Sequence, residues 1–275
     1  MSKFGRALSY KARLYCAYFS LGVQGLGAPY GTRYPHRTLP FAYALTDNVQ
    51  MVNDLRRLWG ALPGPGVVEL PARVEAADEG TFLARLEARR LKAGQRSPQR
   101  RWLWVSRVES FKGTSILAKI APTLPNDQFE LFGPISGSLP DLGLTAPNIR
   151  HCGILSDIAS SDFSTYDGFL FTSLFEGMPN VVLEMSQHAI PMALADVGGL
   201  RGTLSDASVM FVRHGQTVEE SAANYVSALE GIGNLTTLEL LVMVETARAQ
   251  VLRRHSPTAY HDNVARIFSY GASDV

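Results

Sequence analysis

From about residue 101 onward, short apolar runs alternate with segments of helical spacing, and this alternation constrains the fold more than any other feature. The apolar runs are 102–108, 129–132, 148–152, 169–172, 192–195 and 209–212. Strands that are separated by helices pair in parallel, because each helix carries the chain back to the same edge of the sheet. The sequence therefore predicts an α/β fold with a parallel sheet flanked by helices over residues 102–256.

Further helices are expected after the last of these runs. Residues 217–220 and 236–239 each have a threonine three positions before a glutamate, which is the pattern of a capping box at a helix start. Ser256 and Pro257 are typical of the N-cap and first residue of a final helix that ends near Tyr270. Residues 257–275 are predicted to form this separate C-terminal helix.

Composition and charge narrow the class of protein. The 275 residues are 46% hydrophobic, which suffices for one large core or two modest ones, and a net charge of +1 indicates no nucleic-acid partner. Cys16 and Cys152 lie far apart without metal-ligand spacing, so a disulfide framework and a zinc site are not expected and a reducing cytoplasm fits best. We find no signal-peptide pattern and no run of roughly 18 apolar residues, so neither secretion by that route nor a membrane span is expected.

Residues 1–75 follow a different pattern and are predicted to be a partial N-terminal domain. They contain an apolar run at 14–21, a stretch rich in Gly, Pro and Tyr at 22–40, and helical spacing over 42–59. A complete domain of the α/β type needs well over about 100 residues. Gly22, Gly25 and Gly27 form no phosphate-binding pattern, and His36 fits a surface loop better than a functional site.

Residues 76–101 are predicted to be a basic linker, with a helix over 78–93 followed by a loop. Its basic residues are Arg85, Arg89, Arg90, Lys92, Arg96, Arg100 and Arg101. One interpretation is peripheral contact of residues 85–101 with anionic lipid headgroups at the inner face of a membrane, at about 1 kcal/mol per charge. The other, which is simpler, is a solvated helix face followed by a polar linker.

The segment 175–184 carries two carboxylates around a turn and a helix start. Pro179 suits the first residue of that helix, because its missing N–H would have had no partner there. The free N–H groups at the helix start could hold a phosphate or sugar oxygen. The same pattern also fits a loop carboxylate, Glu176, followed by a solvated helix face, which would consist of Asn180, Glu184, Gln187 and His188.

Two other segments occur in a fixed order with this one. Residues 104–113 form a strand and loop with Arg107 and Lys112, and residues 190–199 form a strand that ends in Asp196-Val197-Gly198-Gly199. Together with the Glu-x7-Glu spacing of Glu176 and Glu184, these segments resemble retaining glycosyltransferases of family 4, which have the GT-B fold. The resemblance covers roughly residues 65–271. It implies a Rossmann-like donor domain preceded by an incomplete acceptor-domain remnant.

The resemblance assigns roles to individual residues. Glu176 would face the donor sugar and the developing positive charge, and Glu184 would accept hydrogen bonds from the ribose. Arg107 and Lys112, just past a strand end, would neutralise the diphosphate. Other donor contacts would come from the amides of Gly177, Met178, Asn180 and Val181, and from the segment Gly153, Ile154 and Leu155, which would hold the base.

The implied enzyme is a retaining, hexosyltransferase-type glycosyltransferase of glycan or polysaccharide biosynthesis. It would move a sugar from a nucleotide-diphosphate sugar to a hydroxyl of a glycan, lipid or small molecule, and no metal or other cofactor is expected. The alternative is a non-catalytic sugar-nucleotide-binding or partner subunit with a degenerate acceptor domain. A GT-B epimerase would need its acid and base carboxylates placed differently.

Three positions depart from the family pattern. Ala189 and Ser106 stand where glycine is common, and no glutamate follows Gly199 within the next few residues.

Overall fold

The computed structural model describes residues 44–48, 67–95 and 97–270. The chain divides into two compact units. One is Ala72–His261, and the other combines Met1–Pro71 with Asp262–Val275.

In the unit that contains Met1–Pro71, the described backbone forms two short parallel strands, β1 (Ala44–Thr46) and β2 (Val67–Glu69). The helix expected over 42–59 is therefore wrong at 44–46. Pairing with β2 provides hydrogen-bond partners for the backbone N–H and C=O groups there, and such tertiary pairing overrides the local helical spacing. The rest of that segment lies outside the described residues, as do Gly22, Gly25, Gly27 and His36.

A six-stranded parallel sheet forms the centre of the unit Ala72–His261. Its strands lie in the order β5-β4-β3-β6-β7-β8. Each coincides with one of the apolar runs, which confirms the predicted Rossmann-like parallel sheet. The strands are β3 (Arg101–Val105), β4 (Gln128–Phe132), β5 (Ile149–His151), β6 (Gly168–Phe171), β7 (Met192–Ala195) and β8 (Met210–Val212).

The described α-helices begin with the basic segment and end with the predicted C-terminal helix. They are α1 (Glu79–Gly94), α2 (Thr114–Thr123), α3 (Asn180–Met185), α4 (Val218–Asn234), α5 (Thr237–His255) and α6 (Pro257–Tyr270). Both predicted capping boxes are present, at the starts of α4 and α5. Each provides hydrogen-bond acceptors for two backbone N–H groups that would otherwise lack a partner, and the sequence pattern predicted both helix starts.

The sheet is buried on both faces. Every residue of β6 and β7 is buried, as are the last four residues of β3. Continuous burial is typical of a parallel strand that is covered by helices on both sides. The large indoles of β3 keep their polar N–H groups paired, since Trp102 donates to Asp127 Oδ2 at 2.8 Å and Trp104 donates to Thr172 Oγ1 at 3.0 Å.

Two arginines of α1 donate hydrogen bonds to backbone carbonyl oxygens within the unit Ala72–His261. Arg89 is 2% exposed and donates to the carbonyl oxygens of Ala189, Tyr166 and Phe163, at 2.8, 2.5 and 3.3 Å. Burial lowers the pKa of Arg89 to about 10, so the guanidinium stays charged at neutral pH. Arg85 donates to the carbonyl oxygens of Gln187 and Ala159, at 2.9 and 2.5 Å.

The other described basic side chains of this segment form ion pairs. The pairs are Arg90 with Glu87, Lys92 with Asp167, Arg100 with Asp127 and Arg101 with Glu130. The basic character of residues 85–101 thus has an explanation within the molecule, and lipid contact is not needed to account for it.

No single described helix has both the length and the composition of a membrane span. Two segments, Val218–Asn234 and Thr237–Ile267, reach that length and composition only when they are counted together, and the chain bends by 115° between them. The second segment covers α5 and most of α6.

Candidate functional site

The chain order of the sheet reverses between β3 and β6. From β3 the chain adds β4 and β5 on one side, and it then adds β6, β7 and β8 on the other. The strands run parallel, so the loops that follow β3 and β6 both begin at the carboxyl edge of the sheet. The two loops lie next to each other, one on each side of the reversal point. Open α/β sheets bind ligands at such a point. We therefore take these two loops as the candidate site.

Lys112 and Glu176 form an ion pair between the two loops. Lys112 ends the 3-10 turn Ser110–Lys112 after β3, and Glu176 lies in the loop after β6. The distance from Lys112 Nζ to Glu176 Oε1 is 2.5 Å, and the side chains are 17% and 15% exposed. Water and salt screen such a sheltered pair less than a surface pair. The structure thus joins two residues that the sequence assigned to one site, with the lysine held by the carboxylate.

Ser173 also contacts Glu176, and the sequence motifs did not single it out. Its Oγ lies 2.5 Å from Glu176 Oε1, the oxygen that Lys112 contacts, and Ser173 is 1% exposed. Its position just past a buried strand and three residues before the glutamate was the available signal. A serine at that spacing can donate to the carboxylate while its backbone stays with the strand.

A hydrogen-bonded junction fixes the two loops to each other. The Thr172 hydroxyl accepts from the Trp104 indole and donates to the Lys112 carbonyl oxygen at 2.7 Å. The Leu174 N–H donates to the Phe111 carbonyl at 3.0 Å. Gly113 is required at its position, because its φ is 76° and a Cβ there would lie 2.0 Å from the Thr172 carbonyl oxygen. The Lys112 and Glu176 backbones are therefore tied together by buried contacts.

Glu184 lies on α3 and is half-buried. Among the described residues, its carboxylate has no hydrogen-bond or ion-pair partner. Burial raises the pKa of Glu184 above its ordinary value of 4.5, and the charge of Asp157 raises the pKa further. A partly desolvated carboxylate without a donor is unfavourable on its own and is suited to accept hydrogen bonds from a ligand.

The start of α3 leaves backbone donors open. Pro179 is the N-cap and the helix begins at Asn180, one residue later than predicted. The amides of Gly177, Asn180 and Val181 donate to no other residue in the part of the chain that the structure describes. The Met178 side chain is 8% exposed and packs into the core, so a ligand contact at this position would come from its backbone. These amides lie in the same loop and helix start as Glu176.

The turn after β7 supports this loop from the side. Gly199 N–H donates to the Gly177 carbonyl oxygen at 2.8 Å, and Gly198 adopts a φ of 62°. The Asp196 carboxylate forms ion pairs with Arg201 in this turn, at 3.1 Å, and with Arg213 after β8, at 3.5 Å.

Arg107 does not join the pair of Lys112 and Glu176. Its side chain is 67% exposed, and its ion pair is with Glu109, at 3.1 Å. An exposed arginine on a loop can reorient at little cost, so the position of Arg107 is compatible with a role in binding phosphate.

Within the described residues, no group of three His, Cys, Asp or Glu side chains is arranged to hold a metal ion.

The segment predicted to hold a base follows β5. Gly153 has a φ of 91°, and its carbonyl accepts a hydrogen bond from Gly133 N–H at 2.8 Å. Ile154 is 69% exposed, which is unusual for so large an apolar side chain, while Leu155 packs against the core. The segment therefore presents an apolar side chain and open backbone at the same edge of the sheet.

Comparison with protein families finds a match in the central part of the chain. Residues 99–231 match the family described as "Glycosyl transferases group 1". The matched segment contains every residue assigned to the donor site. A comparison with curated proteins found no match.

Solved structures match over most of the chain. Sucrose-phosphate synthase from Thermosynechococcus elongatus has a TM-score of 0.64 at 15% identity, covering 85% of this chain and 59% of that one. A glycosyltransferase from Rickettsia africae has a TM-score of 0.62 at 17% identity, covering 84% and 64%. Anabaena HepE in complex with UDP and glucose has a TM-score of 0.59 at 14% identity, covering 83% and 63%.

These likenesses establish the Rossmann-like α/β fold of GT-B glycosyltransferase structures. The chain spans about three fifths of the length of these three structures. At 14 to 17% identity they show the fold alone, and the family match is confined to residues 99–231.

Proposed function

We propose that this chain binds a nucleotide-diphosphate sugar at the carboxyl edge between β3 and β6 and transfers the sugar to a hydroxyl, with retention of anomeric configuration. The observation that carries the proposal is the sheltered pair of Lys112 and Glu176 at the reversal point of the sheet. A cation suited to a diphosphate and a carboxylate suited to a sugar meet there, inside the segment that matches the glycosyltransferase family.

The proposed chemistry needs charge of both signs. The bond from the anomeric carbon to the diphosphate oxygen breaks, a bond to the acceptor oxygen forms, and the acceptor hydroxyl passes its proton to the departing diphosphate oxygen. Negative charge then grows on the departing diphosphate, next to Lys112 and within reach of the exposed Arg107. Positive charge grows on the sugar, where the carboxylate of Glu176 opposes it. We propose that these groups act without a metal ion.

The remaining contacts divide between nucleotide and sugar. The open carboxylate of Glu184 would accept hydrogen bonds from the ribose, and the open amides of Gly177, Asn180 and Val181 would donate to sugar and phosphate oxygens. The apolar, exposed Ile154 and the backbone of its segment would contact the base. The acceptor hydroxyl would belong to a glycan, a lipid or a small molecule.

Donor consumption tests this function. The chain would be incubated with UDP-, GDP- and ADP-sugars, and release of the nucleotide would be followed for the parent and for Glu176→Gln. We expect the substitution to lower the rate at least about 100-fold. A matched control is Glu219→Gln, which breaks the exposed pair of Glu219 and Lys119 and should leave the rate unchanged.

Two other outcomes have distinct meanings. Nucleotide binding without any donor consumption would indicate a non-catalytic sugar-nucleotide-binding subunit. Equal rates for the parent and Glu176→Gln, with the fold intact, would contradict the proposed role of the glutamate.

A further inference from the structure

Glu176 is held through one of its two carboxylate oxygens. Lys112 Nζ and Ser173 Oγ both lie 2.5 Å from Oε1. Among the described residues, Oε2 accepts no hydrogen bond. One oxygen thus fixes the carboxylate, and the other remains for a ligand.

Ser173 has one proton to donate, and its surroundings direct that proton to Glu176. The other acceptors near its Oγ are the carbonyl oxygens of Phe175, at 3.3 Å, and Phe111, at 3.5 Å. The carboxylate is much closer and is charged, so it receives the stronger hydrogen bond. Because Ser173 is 1% exposed, water does not compete for the hydroxyl.

The backbone at Ser173 cannot drift away from Glu176. On one side, Thr172 is bound to the Trp104 indole and to the Lys112 carbonyl. On the other, Leu174 is bound to the Phe111 carbonyl. The serine therefore presents its hydroxyl from a fixed position.

Lys112 differs from Ser173 in this respect. Its ammonium sits at the end of a flexible stem and can serve a carboxylate or a phosphate, but a diphosphate with two or more charges competes strongly for it. If Lys112 turns to the donor, Ser173 is the remaining partner of Glu176 Oε1.

We infer that Ser173 is a positioning residue that holds the Glu176 carboxylate in place when Lys112 moves to the donor diphosphate. This inference rests on the proposed function. It predicts that the serine matters to the rate of sugar transfer and hardly at all to nucleotide affinity, since misplacing a catalytic group by about 1 Å can cost roughly 100-fold in rate.

The test compares Ser173→Ala with the parent in two assays, calorimetric titration with UDP, GDP and ADP, and consumption of the matching sugar nucleotide. We expect nucleotide affinity to change less than about twofold to threefold and kcat to fall about 10-fold to 100-fold. Ser173→Thr keeps the hydroxyl and should recover most of the rate.

Ser208→Ala is the matched control. Ser208 is also 1% exposed, and its hydroxyl lies 2.8 Å from both Gln250 Oε1 and the Ser205 carbonyl oxygen, but it precedes β8 and so lies at the opposite edge of the sheet. Both alanine variants should lose some thermal stability, and only Ser173→Ala should lose rate.

A crystal structure of the parent with the bound nucleoside diphosphate provides a direct view. In that complex, we expect Lys112 Nζ to contact the diphosphate and Glu176 Oε1 to keep its hydrogen bond from Ser173 Oγ. Two results would overturn the role of Ser173 and leave the donor site standing. One is an equal kcat for folded Ser173→Ala and Ser208→Ala, and the other is a complex in which Lys112 still contacts Glu176. If none of the three nucleotides bound the parent, the donor site would be wrong, and the role of Ser173 would fall with it.

Discussion

Gly198 packs directly against the carbonyl oxygen of Gly177, so that a Cβ at position 198 would lie 2.2 Å from that oxygen. The contact joins the turn after β7 to the loop that carries Glu176. The backbone of Gly198 is also in the left-handed region, with a φ of 62°. The Gly-Gly turn recognised in the sequence therefore acts by shape, since it brings backbone against backbone beside the candidate site.

Gly198→Ala should destabilise the fold and disturb the Glu176 loop. The left-handed backbone alone costs about 1 kcal/mol with alanine, and the clash adds roughly 1 to 3 kcal/mol. Urea unfolding would measure the loss of stability, and nucleotide titration would measure the effect on the loop.

Gly143→Ala separates the two contributions. Gly143 has a φ of 75°, but beyond its chain neighbours no atom lies within 4 Å of the position that a Cβ would occupy. The variant should lose only about 1 kcal/mol and keep full nucleotide affinity. Equal losses for the two variants would show that the contact between Gly198 and Gly177 is unimportant.

Glu184→Gln should stabilise the free protein at neutral pH while weakening its nucleotide binding. The folded-state pKa of Glu184 is raised above 4.5, so the folded chain binds the proton more tightly than the unfolded chain does. The carboxyl therefore makes the protein less stable as the pH rises through that raised pKa, and glutamine removes this effect.

The measurement is urea unfolding of parent and variant at pH values below 4.5 and above the raised pKa of Glu184. We expect the gain in stability at neutral pH to disappear in acid. A variant that is less stable than the parent at neutral pH would indicate that Glu184 has a stabilising partner in the free protein.

Arg107→Ala should weaken nucleoside diphosphate binding by about tenfold to 150-fold, which corresponds to roughly 1.5 to 3 kcal/mol for a charge-assisted contact. In the free protein, Arg107 is paired with Glu109, so Glu109→Gln should leave the affinity equal or increase it. Arg90→Ala removes a similar exposed arginine, paired with Glu87, and serves as the control. Unchanged affinity in Arg107→Ala would show that this arginine is only a surface residue.

Ala189→Gly should stabilise the protein. Ala189 is fully buried, has a φ of 49° and occupies a position where glycine is common in the family that the sequence resembles. Relief of the left-handed strain gains about 1 to 2 kcal/mol, and the greater freedom of glycine in the unfolded chain offsets about 0.4 to 1 kcal/mol of it. Thermal unfolding would measure the difference.

Ala195→Gly in β7 is the comparison for this variant, since Ala195 is also fully buried but lies in an extended strand. It should lose stability. A loss in Ala189→Gly as well would mean that packing of the methyl group outweighs the strain.

The sheet was predictable because its strands are buried on both faces. Runs such as 169–172 and 192–195 are apolar without alternation, and helices with readable caps separate them. The strand at Ala44–Thr46 was not predictable, because it is three residues long and depends on pairing with Val67–Glu69. No local pattern reports a partner about twenty residues away.

The site was predictable where a motif carries it. Glu176 and Lys112 were assigned to one site, and the structure brings them within hydrogen-bonding distance. The pairing of Lys112 with Glu176 was not predictable, because it depends on the distance between two loops that are some sixty residues apart in sequence. The contact of Ser173 with Glu176 was not predictable either, because it depends on how the three residues between them turn within one loop. The roles assigned to Glu176 and Lys112 stay predictions, as do those of Glu184, Arg107 and the segment 153–155.

Calorimetric titration of the unmodified chain with UDP, GDP and ADP tests the donor site most directly. At least one nucleotide should bind at millimolar concentration or below, Lys112→Ala should weaken that binding, and Glu176→Gln should keep or tighten it because the lysine is released from its carboxylate. No heat with any of the three nucleotides, or equal affinity in parent and Lys112→Ala, would contradict a donor diphosphate site between β3 and β6.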